Sequence, residues 1–519
     1  MFKRKNKYVP DYGGGIPVGY DERKQEYLYE RLDYHSGIEG VTGIGKTTRF
    51  FIPAVYIMGR LKENMIIADN KLQVYFATKK FLESQGYDVL MVNYREPELG
   101  HRINMMSEII MHIEKGDLDS AQMEAVDLAA TLVPRSDSGE PMWGDGSESA
   151  IASVMLALCM RKDIPDSAKT VSNVFHNIIH LGKSTRDGSL LDDYFSMDER
   201  SNIEKIAYGN YGMSSSKVRM SFNTMATSSI REFSYERIKR QSAVNDFDLR
   251  KMVGPDSKPF VIFVVAPDEK DSLNRLAPSF YEYAYRVTVD ESNKLNGTKL
   301  PIRLHMMLDE FTNNGKFKNF VQRLTLSRGR NIFYHLGYQS QTQIQSVYGD
   351  KDADTIVRNL GVRAFTEFGD QEDIDDFQKK TGFSSVVGST QSENQRGLLD
   401  LSLNKNTFQY QAKKVPLFDR HYLTTLGIPD AIIKRRSMFA FKTFLPVWME
   451  TPLTEVLEPT LYKDLSKRVD DELIYEKLLI DPVGIQNVTS QNVDDTEPVD
   501  YEKDSENNDD VDLPDSEYY

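Results

Sequence analysis

Residues 40 to 47 read Gly40-Val41-Thr42-Gly43-Ile44-Gly45-Lys46-Thr47, and no other stretch constrains the fold as tightly. The octapeptide satisfies G-x-x-x-x-G-K-[ST] at every fixed position, a loop that works only between a strand and a helix N-terminus. Its glycines let backbone N–H groups turn inward around phosphates, and the next helix, expected over Thr48 to Met58, points its positive end at them. Gly40, Thr42, Gly43, Ile44, Gly45, Lys46, Thr47 and Thr48 are therefore the candidate cradle. Lys46 supplies charge to the β- and γ-phosphates, and the Thr47 hydroxyl ligates a metal. The implied ligands are ATP and Mg²⁺. The expected preceding strand, Tyr34 to Glu39, is no clean apolar run, because Ser36, Gly37 and Glu39 interrupt it.

A second half of such a site lies far along the chain. The apolar run Leu304 to Leu308 ends in Asp309-Glu310, which places two carboxylates at the C-terminal edge of a strand, where open α/β sheets bind ligands. Asp309 is the candidate Mg²⁺ partner through water, and Glu310 the candidate general base at the attacking water. Arg328-Gly329-Arg330 then precedes a strand over Ile332 to Leu336, which leads into Tyr338-Gln339-Ser340-Gln341. Gln339, at the strand end, is placed to sense a γ-phosphate. An exposed arginine here, Arg328 or else Arg330, is a candidate arginine finger acting on a neighbouring subunit.

Local patterns supply the frame. Met65 to Ala68 reads as a strand, Leu72 to Gln85 as a helix ended by Gly86, and Tyr87 to Asn93 as a strand, a βαβ rhythm that implies a parallel sheet. From about 105 to 245 the strand signal disappears. Val171, Val174, Phe175, Ile178 and Ile179 repeat at helical spacing, as do Ile151, Val154, Met155, Leu158 and Cys159. Strands resume at Phe260–Ala266. The expected division is an N-terminal arm (1–30), an α/β nucleotide-binding domain (31–104 with 246–455), an inserted all-α domain (105–245), and a C-terminal extension (456–519) ending in an acidic, disordered tail.

Charge supports the last assignment. The 519 residues carry a net −14, yet from Val488 onward twelve Asp or Glu oppose Lys503 alone, a net of −11 that leaves −3 for the rest. Such a segment buries too little apolar surface to offset chain entropy. A single cysteine, Cys159, excludes an intramolecular disulfide and fits a reducing cytosol. No window reaches the ~18 apolar residues of a membrane span, and no signal-peptide core follows the basic start, so a soluble, cytoplasmic protein is expected.

Three further features invite a functional reading that a plain one matches. His176 and His180 stand four apart on a helix without a recognisable third metal ligand. Arg237-Ile238-Lys239-Arg240 and Lys434-Arg435-Arg436 are basic enough to touch phosphates, although such runs are usually solvated faces. Asn296 heads a glycosylation sequon that has no meaning in the cytosol.

The motifs together resemble the coupling proteins of conjugative type IV secretion, the TraG/TraD family. The resemblance spans about 31 to 440. It rests on the P-loop, Asp69-Asn70-Lys71, Gly86-Tyr87-Asp88-Val89, Asn104, Trp143 and Leu308-Asp309-Glu310-Phe311, and above all on Gln339-Ser340-Gln341-Thr342-Gln343 with Val347-Tyr348-Gly349. It implies a RecA-like domain with an all-α insertion, a hexameric motor, and single-stranded DNA bound to a relaxase as cargo. Residue by residue it makes Lys46 and Thr47 the phosphate and Mg²⁺ residues, Asp309 and Glu310 the Walker B pair, Arg328 the trans-acting arginine and Gln339 the nucleotide sensor. The family's Asp-Pro-Lys-Gly-Glu reads Asp69-Asn70-Lys71-Leu72-Gln73 here, and Met105 replaces a usual proline. Typical members also begin with membrane-spanning helices. Their absence implies a soluble variant, recruited to the inner face of the cell membrane by a membrane-anchored secretion subunit. Another DNA translocase of the superfamily, or a docking platform that hydrolyses little ATP, remains a competing reading.

Overall fold

The computed structural model describes residues 13–134, 141–185, 188–197, 200–267, 273, 275–314, 316–369, 371–392, 407–467 and 476–480. Among the described residues nine strands join in one sheet: β1 (His35–Glu39), β2 (Asn64–Ala68), β3 (Asp88–Asn93), β4 (Phe260–Val265), β5 (Leu304–Leu308), β6 (Ile332–Tyr338), β7 (Leu360–Phe365), β8 (Asp430–Arg435) and β9 (Phe441–Phe444). Their lateral order is β9-β8-β7-β1-β6-β5-β2-β4-β3. The first seven run parallel, and β8 and β9 close one edge antiparallel.

Parallel sheets must be covered on both faces, and this one is. Ile66 and Ala68 of β2 join the core on one face, while Met65 and Ile67 join the core on the other. The polar residues of β1 find partners in neighbouring strands, which is why so unpromising a sequence forms a fully buried strand. Ser36 Oγ lies 2.6 Å from His335 Nδ1 in β6, and Glu39 accepts from Arg363 of β7 at 2.6 Å.

Between β3 and β4 the chain builds helices. The longest, Pro141–Met160, is buried all round over Ala150–Cys159 and serves as the axis for Leu118–Leu132, Val171–Leu181, Asn202–Gly212 and Ser216–Ser229. One two-residue strand pair, Ser184–Thr185 with Gly188–Ser189, interrupts the helices. The neck is stitched where the chain leaves and returns. Asn104 N–H donates to Asn245 Oδ1 at 2.6 Å, Ile103 N–H to Gln241 O at 2.9 Å, and the Arg102 guanidinium pairs with Asp246 at 2.9 Å. Asn104, part of the family resemblance, thus helps fix the neck, with Nδ2 also donating to Lys169 O at 3.0 Å.

Two segments differ from expectation. Within the supposed arm, Pro17–Asp21 and Glu26–Tyr29 form a hairpin, and Ile16 is fully buried. The hairpin is anchored by Glu30, which accepts from Arg435 of β8 at 3.0 Å. Its Val18, Tyr20 and Tyr27 side chains pack as those of a strand pair do. In the C-terminal extension, residues 476–480 are seated on the helical block, with Leu479 buried in its core. The acidic tail from Val488 lies outside the described residues. Among the described residues no helix is long and apolar enough to cross a membrane.

Candidate nucleotide site

Except for Arg328, the candidate residues cluster just past the C-terminal ends of parallel strands, Gly40 after β1, Asp309 after β5 and Gln339 after β6, with Asp69 of the family motif after β2. The sheet therefore collects at one edge residues spread over three hundred positions.

The loop after β1 takes the shape its glycines permit. Gly43 (φ +88°) and Gly45 (φ +79°) occupy the left-handed region, where a side chain is strained. Lys46 Nζ arches over the loop and donates to Gly40 O at 2.6 Å and Val41 O at 3.1 Å. Burial lowers its pKa, and the nearby Asp309 and Glu310 charges oppose that shift. The helix that follows opens on one α-type bond, Arg49 N–H to Gly45 O at 2.8 Å, and then widens. Thr47–Phe51 is a π turn closed by Ile52 N–H on Thr47 O, and the α-helix runs over Ile52–Arg60. Pro53 lacks the N–H that would bond Arg49 O, so the preceding turn relaxes to the wider form.

Within that turn Arg49 is fully buried. Its guanidinium donates to Leu445 O (2.9 Å), Pro429 O (2.9 Å) and Asp430 O (2.7 Å), tying the loop's helix to the antiparallel edge. Desolvation pulls its pKa down to about 10, with the Asp430 charge opposing. Sequence reading passed over Arg49, since nothing local marks it as buried.

Across the floor of the site, Thr47 Oγ1 donates to Asp309 Oδ2 at 2.5 Å. Desolvation raises the Asp309 pKa, while the Thr47 hydrogen bond and the Lys46 charge pull it down. A hydroxyl and a carboxylate held side by side are hard oxygen donors suited to Mg²⁺, which keeps several waters and takes few protein ligands. The donor set at Thr47 and Asp309 therefore fits the ion. Beside it, Glu310 adopts φ +56°, a strained conformation for a non-glycine residue. That turn directs its carboxylate to Lys71 Nζ at 3.2 Å and to Asn313 Nδ2 at 3.2 Å. Asp69 accepts from Tyr75 N–H at 2.7 Å at the start of the helix Gln73–Ser84, and burial pushes its pKa up to about 7.

Gln339 meets the loop directly, with Nε2 donating to Thr42 Oγ1 at 2.9 Å. Behind it, Ser340 caps the helix Gln341–Tyr348, and Gln343 Oε1 accepts from Gln339 N–H at 3.0 Å. Tyr348 ends that helix inside the core, stacked on Phe311 (5.4 Å) and accepting from Phe317 N–H at 3.1 Å. The glutamine block thus packs against the segment that carries Asp309 and Glu310. Gly337, one strand over from Asp309, was also missed. A Cβ there would lie 2.8 Å from Asp309 Oδ1 and 3.1 Å from the Phe51 ring.

Arg328 is not brought to this site. It lies exposed beyond the helix Phe320–Ser327, at the N-terminal end of β6. Arg330 stands beside it. His176 and His180 lie on the helical block, and among the described residues no group of three metal-ligating side chains forms.

A phosphate-type loop and a carboxylate pair at one edge of a parallel sheet, with helices inserted between two strands, define a RecA-like P-loop protein carrying an all-α domain. The family model for type IV secretory system conjugative DNA transfer matches residues 2–453, and the chain belongs to that family. Among solved structures it is similar to the bacterial conjugative coupling protein TrwBdeltaN70 in an unbound form, at 16% identity and a TM-score of 0.57, covering 80% of this chain and 85% of that one. It is similar also to plasmid coupling protein TrwB in complex with ADP and Mg²⁺, at 16% identity and a TM-score of 0.56, covering 85% and 90%. The complex of TrwB with a non-hydrolysable ATP analogue gives 0.55 over the same coverage. At that identity the likeness is one of fold. No curated protein matches.

Proposed function

We propose that this protein is an ATPase that couples hydrolysis of Mg-ATP to the transfer of relaxase-bound single-stranded DNA through a type IV secretion machine. The observation that carries the reading is the 2.5 Å contact between Thr47 and Asp309, which joins the loop's hydroxyl to the carboxylate of a strand 262 positions away. Lys46 and the backbone N–H groups at Gly43 to Thr48 hold the phosphates. Thr47 and Asp309 hold Mg²⁺, which when bound neutralises charge that develops on the phosphoryl oxygens. Glu310 takes the proton of the attacking water, and Lys71 positions its carboxylate. Gln339 ties the outer wall to the loop and reads whether a γ-phosphate is present. TrwB, similar in fold, is known in complex with ADP and Mg²⁺ and with an ATP analogue.

Family membership supports DNA as cargo; the proposed working form is a homo-oligomeric ring, hexameric when active. The all-α insertion, joined through a stitched neck and contributing none of the nucleotide residues, is the element that recognises the cargo. A membrane-anchored secretion subunit recruits the protein to the inner face of the membrane. Phosphate release measured with and without single-stranded DNA tests the proposal. Turnover that DNA stimulates supports a motor; no turnover in either condition supports a docking platform instead.

A further inference from the structure

The helix Val171–Leu181 turns Asn173, His176 and Asn177 to one side, and the segment Glu476–Ile480 lies along them. Asn177 bonds the segment's backbone twice. Its Nδ2 donates to Lys477 O at 2.8 Å, and its Oδ1 accepts from Leu479 N–H at 2.8 Å. Asn173 Oδ1 accepts from Lys477 N–H at 3.2 Å, and Arg161 donates to Leu479 O at 2.8 Å. Four hydrogen bonds from three side chains therefore read main chain alone, so they do not depend on which side chains the peptide carries.

Side chains set the register. Glu476 is clamped between His176, at 3.2 Å, and Lys239. Three residues on, Leu479 fills a socket in the helical core, with Leu478 and Ile480 packed at its rim. Lys239 belongs to a basic run with no role at the nucleotide site. Both side chains of the clamp come from the insertion, whereas the segment belongs to the C-terminal extension. Asn177 is fully buried, and although its Nδ2 also donates to Asn173 O at 2.8 Å, its Oδ1 takes its hydrogen bond from the passing Leu479 N–H, an acceptor costly to leave unmatched.

We infer that the all-α domain carries a peptide-binding groove, filled in this structure by the chain's own Glu476–Ile480, whose exchangeable ligand is a partner protein presenting a segment with a carboxylate three residues before a leucine. The intramolecular segment competes at high effective concentration, so the groove opens only to a partner delivered at comparable local concentration. The groove's existence is independent of the nucleotide site; its use in choosing cargo rests on the proposed function.

The test uses full-length protein and a fluorescein-labelled peptide of residues 474–482, followed by anisotropy, with no reading of nucleotide turnover. Leu479→Asp displaces the intramolecular segment and is expected to bind the peptide at least about tenfold tighter than wild type, as removal of a tethered competitor requires. Adding Asn177→Ala to that variant removes the gain, and a peptide carrying the same Leu→Asp change does not bind. Equal binding by the single and double variants, or no saturable binding to folded Leu479→Asp protein, overturns the proposal. Leu479→Ala, which empties the socket without burying a charge, serves if the aspartate variant does not fold. Filling of the groove by a second copy would show as a concentration-dependent mass that Leu479→Asp abolishes, and would overturn the intramolecular assignment.

Discussion

Arg328 and Gln339 stand at opposite ends of one strand, Ile332–Tyr338, so they address opposite edges of the sheet. Seven residues rising about 3.3 Å each put some 23 Å between them. Gln339 touches the phosphate loop of its own chain; no side chain on the far edge can. If Arg328 stabilises charge at a nucleotide, that nucleotide belongs to another subunit. Mixing inactive Arg328→Ala with inactive Lys46→Ala protein is expected to restore part of the phosphate release, because some interfaces then pair an intact arginine with an intact loop. Verified mixed oligomers with no recovery would exclude the trans role for Arg328 and leave Arg330 as the candidate.

Lys46→Ala and Glu310→Gln are expected to abolish turnover by different routes. In the proposed mechanism Lys46 faces the phosphates, so its loss weakens nucleotide binding. There Glu310 acts at the water, so Glu310→Gln keeps binding and loses roughly 10²–10⁴ in rate, the usual worth of a positioned base. Nucleotide binding and single-turnover hydrolysis measured side by side separate the two. Wild-type turnover by Glu310→Gln would remove Glu310 from the base role.

Gly337→Ala tests the packing behind Asp309. The added Cβ meets Asp309 Oδ1 at 2.8 Å on one side and Phe51 on the other, and both are held in the floor of the site. Overpacking of this kind costs about 1–3 kcal/mol, which the urea midpoint reads. Displacement of Asp309 from Thr47 is expected to weaken the Mg²⁺ requirement's saturation, so the Mg²⁺ concentration for half-maximal turnover rises. A variant with unchanged Mg²⁺ dependence would show that the carboxylate has room to move.

Arg49 links the loop's helix to the sheet edge through three carbonyls. Arg49→Ala removes all three bonds, but Pro429 O keeps Leu445 N–H at 2.9 Å and only the bond to Leu445 O is fully buried. At about 1–3 kcal/mol for an unsatisfied buried group, a loss of that order is expected, with the amides of β8 and β9 exchanging faster than those of β2 and β4. Uniform exchange across the sheet would mean that the edge does not depend on Arg49.

The gathering of Gly40 to Thr47, Asp309-Glu310 and Gln339 at one sheet edge was legible because each follows a strand or opens a helix within its own short motif, whereas Arg328, named with them, lies at the other end of its strand. The helical block was legible from its 3.6-residue apolar period. What stayed hidden depends on partners far away in the chain. The strand β1 carries Ser36 and Glu39, whose partners His335 and Arg363 lie 299 and 324 positions on, so no local pattern marks it as buried. Arg49 reads as an ordinary helix cation until β8 and β9 arrive. Five residues at 476–480, with Leu479 alone deeply buried, have too short a pattern to announce a docking segment.

The tail from Val488 to Tyr519 supplies the last prediction, from charge alone. Twelve carboxylates against one lysine repel DNA phosphates and compete with them for basic surfaces such as Arg237 to Arg240. None of the nucleotide residues lies within it, and the segment at 476–480 precedes it. Deleting residues 488–519 is therefore expected to leave basal ATPase activity unchanged. The same deletion should tighten binding of single-stranded DNA at low salt. That difference should fade near ~0.15 M, where the screening length falls to about 8 Å and the tail's charge no longer reaches the basic surface. Anisotropy titrations of a labelled oligonucleotide from low to physiological salt read the effect. Unchanged affinity across that range would leave the tail a solubility or partner-specific role, and loss of basal turnover would show that it supports the catalytic domain.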